Sequence, residues 1–87
     1  MRFMVSIRVE VPPDRAEEVR ALLPAERQRA AEHMDQGILE ALYLDAAVPA
    51  PQIWAVMRAE SLEAVQALLA SYPLYAYFTP TYTQILE

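Results

Sequence analysis

The sequence predicts an α+β fold of βαββαβ order: a four-stranded antiparallel sheet with two helices on one face. Three observations carry that expectation. From Arg2 to Val11 apolar and polar side chains alternate, the period of a half-buried strand. Two later stretches repeat apolar residues every three or four positions, the period of an amphipathic helix. Prolines and the chain's one glycine mark where the elements stop.

In the first strand Phe3, Val5, Ile7, Val9 and Val11 share one face, and Arg2, Met4, Ser6, Arg8 and Glu10 the other. Pro12 and Pro13 stop it. Asp14, with Glu17 three residues on, has the form of an N-cap with its reciprocal acid, so a helix is expected from about Arg15 to Gln36. Gly37 is placed to end it. Pro24 removes a backbone hydrogen bond and crowds the preceding turn, which predicts a kink, or a break and restart, near Leu23. Ile38 to Asp45 is mostly apolar on both faces and suits a strand, and Ala46 to Gln52, with Pro49 and Pro51, reads as a connection. Ile53 to Ala59 is apolar on both faces apart from Arg58, the pattern of a central strand covered on both sides. Ser61 caps a second helix carrying Leu62, Val65, Leu68, Leu69 and Tyr72 at helical spacing, closed by Pro73. From Leu74 the residues turn aromatic and β-branched, a last strand that Pro80 confines to a sheet edge or a bulge.

This order is the ferredoxin-like pattern, whose usual spatial strand order is 4-1-3-2. It puts the first and third strands in the middle and the proline-bearing fourth at an edge. Two helices cover only one face. The other carries Met4 and Ser6 together with Trp54 or Ile53, and a second copy is expected to cover it, giving a homodimer that closes a dimeric α/β barrel, or a larger ring such as a decamer.

Composition narrows the function. The chain has 87 residues, read as one domain spanning 1–87, and at this size help from oligomerisation is expected. There is no cysteine and a single histidine, so thiolate sites and a multi-histidine metal site within one chain are excluded. All seven basic residues are arginine, which removes lysine Schiff-base chemistry, and a net charge of −5 argues against a nucleic-acid partner. No stretch approaches the roughly 18–20 apolar residues of a membrane span, so a cytoplasmic protein with no membrane partner is expected.

The residues that could carry chemistry gather between Pro24 and Gly37. At about 100° per residue, Leu23, Glu26, Ala30 and His33 fall within roughly ±40° of one direction, so a carboxylate shares the buried stripe. Such an acid, partly desolvated, has its pKa raised and can abstract a proton. The competing reading makes Pro24 the first residue of a restarted helix and Glu26 an acid favoured by the backbone dipole of its first turn. His33 lies about 10 Å further along the helix, too far to touch Glu26 without a third group between them. Its place near a helix end also suits a cation facing the last carbonyls. Tyr43, Trp54, Tyr72, Tyr75, Tyr77, Phe78 and Tyr82 serve either as core and interface or as pocket wall. Arg8 and Arg58 could grip a ligand carboxylate or pair with Glu10 and Glu60.

The opening MRFMVSIRVEVPPD, the helix segment from Glu26 to Gln36-Gly37 and the tail SYPLYAYF resemble the muconolactone delta-isomerase family over almost the whole chain. The resemblance implies a small ferredoxin-like barrel protein that assembles into decamers and shifts a proton across a butenolide ring, without metal or organic cofactor. Glu26 matches a glutamate of that family's helix and takes from it the role of catalytic base. The family's first-strand histidine is Met4 here, and its Arg-, His- and Trp-rich second strand is Leu39, Glu40, Ala41 and Tyr43. Fold and assembly are therefore expected to be shared and the substrate to differ. The reading is a cofactor-free isomerase of a small lactone or related carbonyl compound in aromatic catabolism, with Glu26 catalytic and Met4, Ser6, Tyr43, Trp54, Tyr75 and Tyr77 lining the substrate site. The alternatives are a non-catalytic oligomeric module that binds a small metabolite and, third, a cofactor-independent oxygenase of the same architecture.

Overall fold

A computed structural model describes residues 1–45 and 51–86. Strands β1 (Arg2–Val9), β2 (Leu39–Asp45), β3 (Gln52–Arg58) and β4 (Phe78–Gln84) alternate with helices α1 (Ala16–Asp35) and α2 (Leu62–Ala70) in the expected βαββαβ order. The sheet runs β2-β3-β1-β4 and every neighbouring pair is antiparallel, so the ferredoxin-like order holds. Most of the expected connection from Ala46 lies outside the described residues.

Alternation along β1 sorts the molecule into two sides. Phe3, Val5, Ile7 and Val9 are buried and join Leu39, Ala55, Met57, Val65, Leu69 and Tyr72 in one core under the helices. The register pairs Ser6 with Trp54 and Met4 with Val56 on the opposite side, so Trp54 points away from the helices and Ile53 toward them. In β4, Thr79, Thr81 and Thr83 share that helix-free face. Pro80 sits in the outermost strand, where its missing N–H costs no ladder bond.

β2 carries a register shift between Leu39 and Ala41. Leu39 pairs with Met57 and Ala41 with Val56, so Glu40 is one extra residue, a bulge that reverses which side the following residues face. Leu42 and Leu44 thereby turn toward the helices, and Tyr43 turns to the open face beside Trp54. The bulged Glu40 also answers a charge problem, because Arg2 and Arg58 sit directly opposite each other across β1 and β3. Its Oε2 lies 3.0 Å from Nε of Arg2 and 3.9 Å from Nε of Arg58, so Glu40, not Glu60, is the partner of Arg58.

The helix ends divide between success and correction. Ser61 Oγ accepts from the Ala64 N–H at 3.1 Å, the expected cap, worth about 1 kcal/mol. Gly37 ends α1 at φ 74°, with the Ile38 N–H donating to the His33 carbonyl and the Gly37 N–H to that of Met34. The Asp14 cap does not form: Pro13–Arg15 make a short 3₁₀ turn and no side chain caps α1. Nor does Pro24 break the helix, which runs unbroken from Ala16 to Asp35. Arg20 and Pro24 are both exposed, so water can reach the carbonyl that the proline leaves unbonded.

Candidate active site

An uninterrupted α1 takes away the structural reading of Glu26, which depended on a new first turn. Glu26 is instead mid-helix, half-buried, and directed at the segment that follows α2. Its Oε1 accepts from the Leu74 N–H at 2.9 Å. The carboxylate lines a cavity of about 400 Å³ between α1 and the helix side of the sheet, at the lower end of the size range of small-molecule sites. Ile7 and Val9 of β1, Leu42 and Leu44 of β2, and Ile53 and Met57 of β3 form much of its floor and flank. Burial pushes the Glu26 pKa up from its ordinary value, and the Leu74 hydrogen bond pulls it part of the way back. Arg27, exposed at the rim, is the only cation on the lining among the described residues.

The other residues expected at the site do not join Glu26 within one chain. Met4, Ser6, Tyr43 and Trp54 are on the opposite face of the sheet, where Ser6 Oγ accepts from Gln52 Nε2 at 2.9 Å. Tyr75 and Tyr77 belong to a short 3₁₀ turn after α2. Tyr75 meets Phe78 edge to face at 6.4 Å, and neither tyrosine lines the cavity. The physical reason is parity. Alternation along a strand sends Ser6 and Ile7 to opposite sides, so the strand residues with polar or aromatic tips went one way and the cavity the other.

The muconolactone delta-isomerase family model matches residues 1–87. The chain belongs to that family. Among solved structures, a crystal structure of muconolactone isomerase is similar at a TM-score of 0.79 and 24% identity, covering 100% of this chain and 90% of that one. At this identity the likeness speaks for the fold. A search of curated proteins finds no match. In this muconolactone isomerase family member the sheet therefore has an aliphatic side toward Glu26 and a second side carrying Met4, Ser6, Tyr43 and Trp54.

The sequence weighs Tyr72 and His33 separately, and the fold brings them together. Tyr72, which reads as core and interface or as pocket wall, lines the cavity with Glu26, and its hydroxyl lies 2.8 Å from Nδ1 of His33. It stands beside His33 and shares the cavity lining with Glu26, the position that a third group between them would take. Burial, and then the Glu26 charge, push the Tyr72 phenol up to about 12, against a lowering by Arg29. His33 is 4% exposed, and burial first, then the Arg29 charge, holds its pKa below the ordinary value. The expectation of a cation facing the helix carbonyls is therefore corrected to a neutral imidazole. A signal was present: Glu26 and His33 share an azimuth, so whatever packs on that stripe meets both, and Tyr72 follows the end of α2 by two residues.

Proposed function

We propose that this chain is a cofactor-free isomerase that moves a proton, and with it a C=C bond, within a small lactone or related carbonyl compound, using Glu26 as the base. One observation carries the proposal: the carboxylate of raised pKa stands on the wall of a largely apolar cavity. Poor solvation makes its ionised form eager for a proton. A hydrogen on the γ carbon of a conjugated butenolide, or next to the carbonyl in its unconjugated isomer, leaves the same delocalised dienolate and is acidic enough to supply one. Returning that proton to the far end of the allylic system shifts the double bond, leaves the oxidation state unchanged and needs no redox partner. Muconolactone fits this chemistry, and Arg27 at the rim could meet its carboxylate. The whole chain forms the one domain that does this, as a cytoplasmic homo-oligomer.

A second reading, a non-catalytic binding module, is favoured by the Leu74 N–H, which makes Glu26 a latch between α1 and the segment after α2. Proton NMR in D2O separates the two. Muconolactone, or α-angelica lactone as an uncharged analogue of its unconjugated isomer, should be isomerised, its double bond moving whether the shifted hydrogen is the original one or deuterium that Glu26 takes from the solvent. Line broadening from binding, with neither isomerisation nor exchange for either compound, would leave the module reading in place.

Self-association is proposed through the face without helices. Trp54 is 37% and Tyr43 63% exposed there, next to Met4 and Val56. Trp54→Glu should place an uncompensated charge in a buried interface and lower the sedimentation-equilibrium mass to that of one chain. An unchanged mass would move the interface elsewhere.

A further inference from the structure

Tyr72 and His33 form a buried polar pair that proton transfer by Glu26 leaves unused. Their rings meet edge to face, centroids 5.2 Å apart at 69°, with Tyr72 8% and His33 4% exposed. Packing does not call for such a pair. Two apolar side chains of similar shape would fill the space at little or no loss of stability, whereas each polar member needs the other in order to be satisfied. A phenol has one proton to donate and two lone pairs, and the 2.8 Å contact with Nδ1 uses one of these. With the imidazole proton on Nδ1, His33 donates to the tyrosine oxygen and leaves the phenolic O–H free for another acceptor, on a residue that also lines the cavity with Glu26.

Resting on the isomerase reading above, we propose that the Tyr72 hydroxyl, held by His33, donates a hydrogen bond to the substrate oxygen that becomes negative when Glu26 removes the proton. Glu26 takes hydrogen from carbon and becomes a carboxylic acid. The electron pair left behind spreads through the allylic system onto the carbonyl oxygen of the lactone, where the phenol meets it without giving up its proton. Glu26 then returns the proton at the other carbon, so one C–H bond is broken and one formed. The ionisation states are compatible, because the phenol pushed up to about 12 stays protonated wherever the carboxylate is ionised. Tyr72 is thus a catalytic residue and His33 a positioning residue.

Tyr72→Phe keeps the ring and removes the donor. It should lower kcat about 10²-fold while KM stays within about threefold. His33→Leu should lower kcat in the same sense, His33→Asn, whose amide stands near the place of Nδ1, should restore most of it, and His33→Leu combined with Tyr72→Phe should be no worse than Tyr72→Phe alone. A second measurement does not depend on turnover. In Glu26→Gln protein, 4-nitrophenolate, a stable oxyanion, should bind about tenfold more weakly once Tyr72→Phe is added. Unchanged kcat and unchanged phenolate affinity in Tyr72→Phe overturn the donor. A fall in melting temperature on His33→Leu with kcat unaltered overturns the positioning role. Turnover that survives Glu26→Gln overturns the isomerase reading itself, whatever Tyr72 does.

Discussion

Glu26→Gln is expected to lower kcat about 10²–10⁴-fold, the range of a lost general base, and to leave the fold intact. The side chain keeps its length, and its amide oxygen can still accept from the Leu74 N–H, so the tie to the segment after α2 survives. The same substitution carries a thermodynamic signature. The folded-state pKa of Glu26 is raised above the ordinary 4.5, so between the two values the folded protein holds more protons than the unfolded chain. Stability then falls as pH rises through that window, and the penalty is complete above the folded value. At pH 7 the glutamine variant, which has no charge to bury, should melt no lower than the parent. Any advantage should vanish below 4.5, where the acid is protonated in both states. In the unaltered protein the rising limb of kcat/KM against pH should lie above the ordinary carboxylate range, since the proposed base works only when ionised. A variant with full turnover, or a rising limb at 4.5 or lower, would falsify Glu26 as a desolvated base.

Phe3→Ala should be the most damaging single truncation for stability. Phe3 is 2% exposed on a central strand, facing Met57 across β3, and ranks among the largest fully buried side chains. Truncating a buried phenylalanine costs about 3–5 kcal/mol, against a total of roughly 4–13 kcal/mol for a chain of this length. The melting temperature should fall by more than about 12 °C, at about 4–8 °C per kcal/mol. Leu62→Ala, at a residue 47% exposed on α2, is the control and should change stability by no more than about 0.5 kcal/mol. Equal losses at the two positions would show that the core is not where the burial pattern puts it.

The order of elements was legible because β1 alternates so cleanly and because Ser61 and Gly37 punctuate the helices as their chemistry requires. Asp14 and Pro24 misled for a common reason. A local preference states what an isolated segment would do, and here the 3₁₀ turn at Pro13 and the exposure of Arg20 to water changed what was needed. The place of Glu26 on the buried stripe could be read from its azimuth, but the same acid also suited the first turn of a restarted helix, and only the unbroken α1 removes that reading. The rest of the site could not be read so directly. Which strand residues join Glu26 depends on the side each faces, and pairs such as Ser6 with Ile7 differ only in parity. Tyr72 reads as core on any periodic template, and only the chain path after α2 brings it to His33.

The extra residue in β2 reaches beyond its own strand. Glu40 touches nothing in the cavity, yet it decides that Leu42 and Leu44 are walls and that Tyr43 is not. Any position-by-position transfer of second-strand residues from a relative lacking that extra residue will put each following side chain on the wrong surface. Matching ligand contacts along this segment to those of a relative therefore starts from whether that relative carries the same extra residue at Glu40.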